Sequence, residues 1–184
     1  MTPTLGKRPA DQFEWETTGT IFSTDVQDII NDSTIDLVVV VTPSSSHYTM
    51  TKRLLEAGKN VLVDKPMAAN FDEAKILVDL ARKQGLFIMP YQSRRFDSDF
   101  LTVKQVIENG YLGRLVDLEV HMDHYRPNDG IFEGPAIDGS LYGHGVHLVD
   151  QVVSLFGAPK SAMYDLRATR ILEATLDDQI EVNM

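Results

Sequence analysis

The chain has 184 residues, 43% hydrophobic and 24% charged, with no cysteine and a formal net charge of −10 from 17 Lys and Arg against 27 Asp and Glu. This composition excludes a disordered or low-complexity chain, a disulfide framework, thiolate chemistry and the basic stripe of a nucleic-acid binder. No apolar run approaches the ~20 residues of a membrane span. Lys7 and Arg8 are not followed by an apolar stretch, so no secretory signal is readable. The expectation is a soluble, cytoplasmic protein.

Residues 1–20 are polar, hold the single Trp15 and carry no readable element. Ile21 and Phe22, followed by residues 26–30, suggest a strand and a helix. Residues 36–42 form a β-branched apolar run without alternation, the pattern of a strand buried on both faces of a parallel sheet. Residues 44–57 predict a helix with Met50, Leu54 and Ala57 inward, serines as N-caps and Gly58 as its stop. Residues 60–63 predict a second strand. Asn70 and Glu73 resemble a capping box opening a helix with Ala74, Leu77, Leu80 and Ala81 inward, stopped by Gly85. Residues 86–90 predict a third strand. Residues 99–109 predict a helix with Phe100, Val103 and Ile107 on one face. Strands alternating with helices imply parallel strands joined by right-handed crossovers.

Near residue 113 the period changes. Val116, Leu118, Val120 and Met122 alternate with Asp117, Glu119, His121 and Asp123, the pattern of a half-solvated strand over residues 115–123. Residues 125–139 read as a loop. Residues 146–156 predict a helix with Val146, Val149 and Val153 inward, ended by Gly157 and Pro159, and residues 161–169 a further strand. The expected fold class is α/β, a partial doubly wound parallel sheet over residues 1–112 followed by the start of an α+β unit with a mostly antiparallel sheet over 113–184.

Four groups of residues are candidates for chemistry. Thr42-Pro43 leads through three serines to His47, at the carboxyl end of a parallel strand, where ligands bind in open α/β sheets. The bland reading is a proline turn with capping serines. Asp64-Lys65-Pro66 ends the second strand; proline restricts Lys65, and an ammonium in such a crevice suits proton transfer to or from a hydroxyl. The alternative is a turn with a solvated lysine. Gln92 and one of Arg94 and Arg95 can reach the same crevice, or the arginines form a network with Asp97. His144, His147 and Asp150 share roughly one helix face. A histidine in proton transfer, a metal site and a capped helix with incidental histidines all fit that spacing. The metal reading is set aside because metal-binding helices more often use i, i+4 pairs with a third ligand from elsewhere. The sequence holds no G-x-G-x-x-G and no P-loop.

The order and spacing of these segments resemble the glucose–fructose oxidoreductase / inositol dehydrogenase / rhizopine-catabolism (Gfo/Idh/MocA) family. The resemblance runs from about residue 21 to 169. It is carried by residues 36–43, His47, residues 55–66 (Leu-Glu-Ala-Gly-Lys-Asn-Val-Leu-Val-Asp-Lys-Pro), residues 91–96 and residues 145–150. It implies a partial Rossmann domain and an NAD(P)-dependent oxidoreductase that transfers hydride between nicotinamide, as NAD or NADP, and a sugar or cyclitol-like substrate. The full-length form would be a homo-oligomer. Lys65 falls on the lysine of the family's Glu-Lys-Pro motif, with Asp64 in place of the glutamate, and His147 on the histidine of its Asp-x-x-x-His pattern; both are implied to be catalytic. Thr42, Pro43, His47, Asp64, Lys65, Pro66, Gln92 and Arg95 fall on cofactor-proximal segments.

Two departures stand out. The family aspartate falls on Gly143. The family's first strand, glycine-rich loop and first helix have no counterpart here, nor does most of its C-terminal sheet. The expectation is that this chain alone binds NAD(P) poorly and aggregates through an unpaired strand edge. A non-catalytic ligand-sensing or regulatory member and an inactive gene fragment are the alternatives.

Overall fold

The structure, a computed structural model, describes residues 21–125, 132–171 and 173–184. Residues 1–20, with Trp15, and part of the anticipated 125–139 loop lie outside the described residues. The helices are α1 (Val26–Asn31), α2 (His47–Glu56), α3 (Phe71–Gln84), α4 (Ser98–Glu108) and α5 (Val146–Phe156). The strands are β1 (Leu37–Val40), β2 (Asn60–Asp64), β3 (Ile88–Tyr91), β4 (Met163–Arg167) and β5 (Gln179–Asn183). Among the described residues no helix is long and apolar enough to cross a membrane.

β1, β2 and β3 form a parallel sheet in that order, with Val40 beside Val63 and Asp64 beside Tyr91. Period-2 alternation turns Val40, Val61 and Val63 to one face, where Leu54 and Leu55 of α2 and Leu77 and Ala81 of α3 close over them. These residues are the core, and α2 packs against both α3 and the sheet. Two crossovers of one hand running in one direction put both helices on the same face. The local signals act as read at α3. Asn70 Oδ1 accepts from the Glu73 amide at 2.9 Å, Glu73 Oε2 accepts from the Ala69 amide at 3.1 Å, and Gly85 ends the helix at φ 68°.

Three expectations are corrected. β1 is buried on one face only. Leu37, Val39 and Val41 are 48%, 52% and 70% exposed, because no described layer covers the second face and β1 lies at the sheet's edge. Ile21 and Phe22 form no strand. Residues 115–123 form none either, since no described strand pairs with them and a half-solvated strand draws its main-chain hydrogen bonds from its neighbours. The strand expected over 161–169 is β4. It pairs antiparallel with β5, Leu166 beside Ile180.

Lys59 is buried, and its ammonium donates to the carbonyls of Asp32 and Ile35 (3.2 Å to Ile35), tying the segment after α1 to the start of β2. Lys59→Met keeps the stem and leaves two carbonyls without their donor. The expected loss is about 1–3 kcal/mol, read as a lower urea midpoint at unchanged m. An unchanged midpoint would mean water serves those carbonyls equally well.

Candidate active site

The carboxyl ends of the three parallel strands lie side by side, at the edge where open α/β sheets bind ligands. β1 runs into Thr42 and Pro43, β2 into Lys65 and Pro66, and β3 into Gln92. The Lys65–Pro66 peptide is cis. His47 opens α2 and is 1% exposed; its Nδ1 lies 2.7 Å from the Pro66 carbonyl and its Nε2 2.7 Å from the Thr42 carbonyl. It braces two neighbouring turns from beneath the crest rather than standing on it. The serines do not cap α2 with their side chains. Ser46 Oγ donates instead to the Pro43 carbonyl at 2.7 Å and lies 2.6 Å from Thr42 Oγ1, tightening the first turn.

The second half of the chain reaches this crest through a π-helical turn, Leu141–Gly145, that leads into α5. Such turns are frequent at functional sites. Asp177 fixes the turn's start, its carboxylate accepting from the Leu141 amide at 2.7 Å and its carbonyl from the Ser140 amide at 3.0 Å. Gly145 lies beneath Ile180, where an added Cβ would stand 2.5 Å from Ile180 Cδ1. Asp178 anchors the neighbouring segment. Burial alone would raise its pKa, but hydrogen bonds from Arg170 and Thr169 outweigh that and bring it down to about 2.

Four contacts join the turn and α5 to the crest. Lys65 Nζ donates to the Gly143 carbonyl at 2.6 Å, and Tyr142 Oη to the Ala69 carbonyl at 2.8 Å. Gln151 Nε2 donates to the Arg94 carbonyl at 3.1 Å. Arg95 Nε and Nη2 donate to the two Asp150 carboxylate oxygens, each at 2.7 Å. At Gly143 it is a main-chain carbonyl that holds the lysine.

Between them lies a cleft of about 450 Å³, lined among others by Asp64, Lys65, Arg94, Asp97, Gly143 and His147. A larger cavity of about 730 Å³ adjoins it at Gly143 and His144, and there the His124 and His144 rings lie 5.1 Å apart. Among the described residues no group of three or more His, Asp or Glu is placed to hold a metal ion. His147 is 6% exposed and its Nδ1 has no hydrogen-bond partner. Burial, then the positive charges of Lys65 and Arg94 and the His144 ring, push its pKa down to about 4, against a smaller opposing effect of Asp150. The imidazole is neutral at pH 7.

Between pH 6.5 and about 4 the unfolded chain binds a proton that folded His147 refuses, so stability falls as pH drops through this window. An NMR titration is expected to place the His147 midpoint near 4. His147→Gln is expected to flatten the stability–pH slope there, and a midpoint at the ordinary histidine value would contradict the burial.

Of the residues singled out in the sequence, Asp64, Lys65 and His147 meet in one cleft. Thr42, Pro43, Pro66 and Gln92 lie along the crest, with Gln92 Oε1 buried and without a hydrogen-bond partner. Arg95 faces Asp150 instead. Of the two arginines the sequence left as alternatives, Arg94 lines the cleft, and it also makes the anticipated pair with Asp97 at 3.1 Å; adjacent arginines are equivalent in sequence and only packing separates them.

A model described as "Oxidoreductase family, NAD-binding Rossmann fold" matches residues 6–92, and a GFO/IDH/MocA C-terminal domain model matches residues 100–184. The chain belongs to the Gfo/Idh/MocA oxidoreductase family. It is 48% identical over 163 residues to the oxidoreductase YhhX of Escherichia coli, covering 89% of this chain and 47% of that one. It is 38% identical over 157 residues to the scyllo-inositol 2-dehydrogenase (NADP(+)) IolW of Bacillus subtilis, covering 83% and 44%. The crystal structure of an oxidoreductase from Bacillus cereus aligns with a TM-score of 0.81 at 42% identity, covering 88% and 46%. GenD2 from gentamicin A biosynthesis, in complex with NAD, shares the fold at 20% identity and a TM-score of 0.69. The chain spans about half the length of the relatives it matches.

Proposed function

We propose that this Gfo/Idh/MocA member serves an NAD(P)-dependent oxidation or reduction of a sugar or cyclitol-like compound at a hydroxyl or carbonyl carbon, with residues 1–112 as the cofactor half and 113–184 as the start of the substrate half. The observation that carries the reading is that Lys65, at the end of β2, and His147, in the first turn of α5, line one cleft at the carboxyl crest of the parallel sheet.

The crest suits a nicotinamide ring. Thr42 and Pro43 border it, Lys65 stands at its centre, and the buried, partnerless Gln92 oxygen beside it is an acceptor for an amide N–H. When bound, the nicotinamide supplies the hydride acceptor or donor. Lys65 has three N–H donors, of which one is held by the Gly143 carbonyl, so the others are free to polarise the substrate oxygen and stabilise charge building there. His147, neutral at pH 7, accepts the hydroxyl proton in the oxidative direction and returns it in the reductive one.

The reading is tested in the intact gene product by following reduced nicotinamide during incubation with a panel of sugars and cyclitols, with NAD and with NADP. Substrate-dependent turnover with either is expected. A panel that stays silent with both cofactors overturns it.

A further inference from the structure

We propose that Arg94 is a specificity-determining residue of the cleft, and that it recognises a second ligand oxygen on a carbon neighbouring the one whose oxygen Lys65 holds. The ligand class is a neutral compound with vicinal oxygens, a polyol or hydroxy-carbonyl. This rests on the reading of the cleft above and adds to it the residue that selects among ligands.

Sequence treats Arg94 and Arg95 alike, but the fold divides them. Arg95 spends both arms of its guanidinium on the Asp150 carboxylate, each bond 2.7 Å long. This fork is the geometry in which Arg and carboxylate bind most firmly, and it turns the group toward α5. Arg94 is placed through its main chain instead, its carbonyl accepting from Gln151 Nε2 at 3.1 Å. Arg94 lines the cleft with Lys65 and His147, and its charge acts on the His147 ring. It makes one side-chain bond there, Nη1 to Asp97 Oδ2 at 3.1 Å, out of five available N–H donors.

The register fixes the spacing. Asp64 sits beside Tyr91, so Lys65 and the turn holding Arg94 leave neighbouring strands at the same level. Lys65 and Arg94 line one cleft of about 450 Å³ and both charges act on the His147 ring, so a ligand that sets one oxygen on Lys65 can set the oxygen of a neighbouring carbon on Arg94. Charge sets the class. Lys65 and Arg94 balance Asp64 and Asp97 in the lining, and His147 is neutral. Hydroxyls, which donate and accept at once, match this mixture. A carboxylate or phosphate would have to draw Arg94 away from Asp97.

Chemical modification of the full chain tests the proposal without relying on turnover. Phenylglyoxal labels arginines and an acylating reagent labels lysines, and peptide mapping gives the rate at each. Without ligand, Arg94 is expected to react about tenfold faster than Arg95, whose donors are held in the fork. Saturating scyllo-inositol, the compound in the name of the Bacillus subtilis relative, is expected to slow labelling of both Lys65 and Arg94 and to leave the exposed Arg82 unchanged. Cyclohexanol, with a single oxygen, is expected to protect Lys65 alone. Protection of Lys65 without Arg94 by scyllo-inositol overturns the assignment of Arg94 and leaves the function standing. Equal labelling of Arg94 and Arg95 likewise overturns it. Protection of neither residue by scyllo-inositol or any sugar of the panel overturns both.

Discussion

Replacing Lys65 with methionine is expected to lower kcat by about 10²–10⁴-fold, the usual contribution of a positioned acid–base or charge-stabilising side chain, while cofactor affinity changes little. Lys65 emerges where β2 ends, its Nζ is fixed by the Gly143 carbonyl at 2.6 Å, and it shares its cleft with a buried, neutral histidine. Methionine keeps the length of the stem and removes the charge and all three donors. The loss therefore falls on the transition state, where negative charge grows on the substrate oxygen, rather than on ground-state binding. The measurement is kcat and KM with the best substrate of the panel, together with the cofactor Kd from nicotinamide fluorescence. A variant with unchanged kcat would remove Lys65 from the chemistry. One that loses kcat and cofactor binding in equal measure would make it a cofactor-binding residue only.

The second large effect is expected at His47, and on stability. His47→Ala removes a side chain that is 1% exposed and takes the ring nitrogens away from two carbonyls at 2.7 Å, the buried one of Pro66 and the part-buried one of Thr42. The cavity and the carbonyl left without the ring's N–H together cost about 2–4 kcal/mol, equivalent to a fall in Tm of about 5–15 °C for a chain of this size. His121→Ala is the control. Its side chain is 70% exposed, so its effect should stay within about 0.5 kcal/mol. Because the two carbonyls belong to the turns that carry Thr42 and Lys65, a destabilised His47 variant is also expected to show faster amide exchange at residues 64–67 than the control. Equal melting of the two variants would mean that the brace contributes nothing.

The candidate site was partly legible because several of its parts are local. The Asp64-Lys65-Pro66 turn follows a strand visible from its apolar run, and His147 sits in a helix whose span, Val146–Phe156, matches the periodicity of residues 146–156. The inward residues of that helix were less legible. Val146, Val149 and Val153 are only half-buried, whereas His147 is buried, because it faces the cleft and Lys65 rather than an apolar layer. Residues 115–123 show the opposite failure. Their alternation fits a strand, but pairing needs a neighbour and none of the described strands supplies one.

By itself the sequence determined the parallel α/β run, its helix caps and stops, the resemblance to the Gfo/Idh/MocA family and the short list of polar residues at strand ends. These follow from period, capping chemistry and motif order, all carried within a few residues of chain. Tertiary structure alone decided that β1 is covered on one face, that His47 works beneath the crest, that Arg95 is committed to Asp150 while Arg94 lines the cleft, and that a main-chain carbonyl at Gly143 holds Lys65. Each of these depends on which distant segment packs against which, and residue type fixes only what a side chain can bond to, not which partner the fold brings within reach.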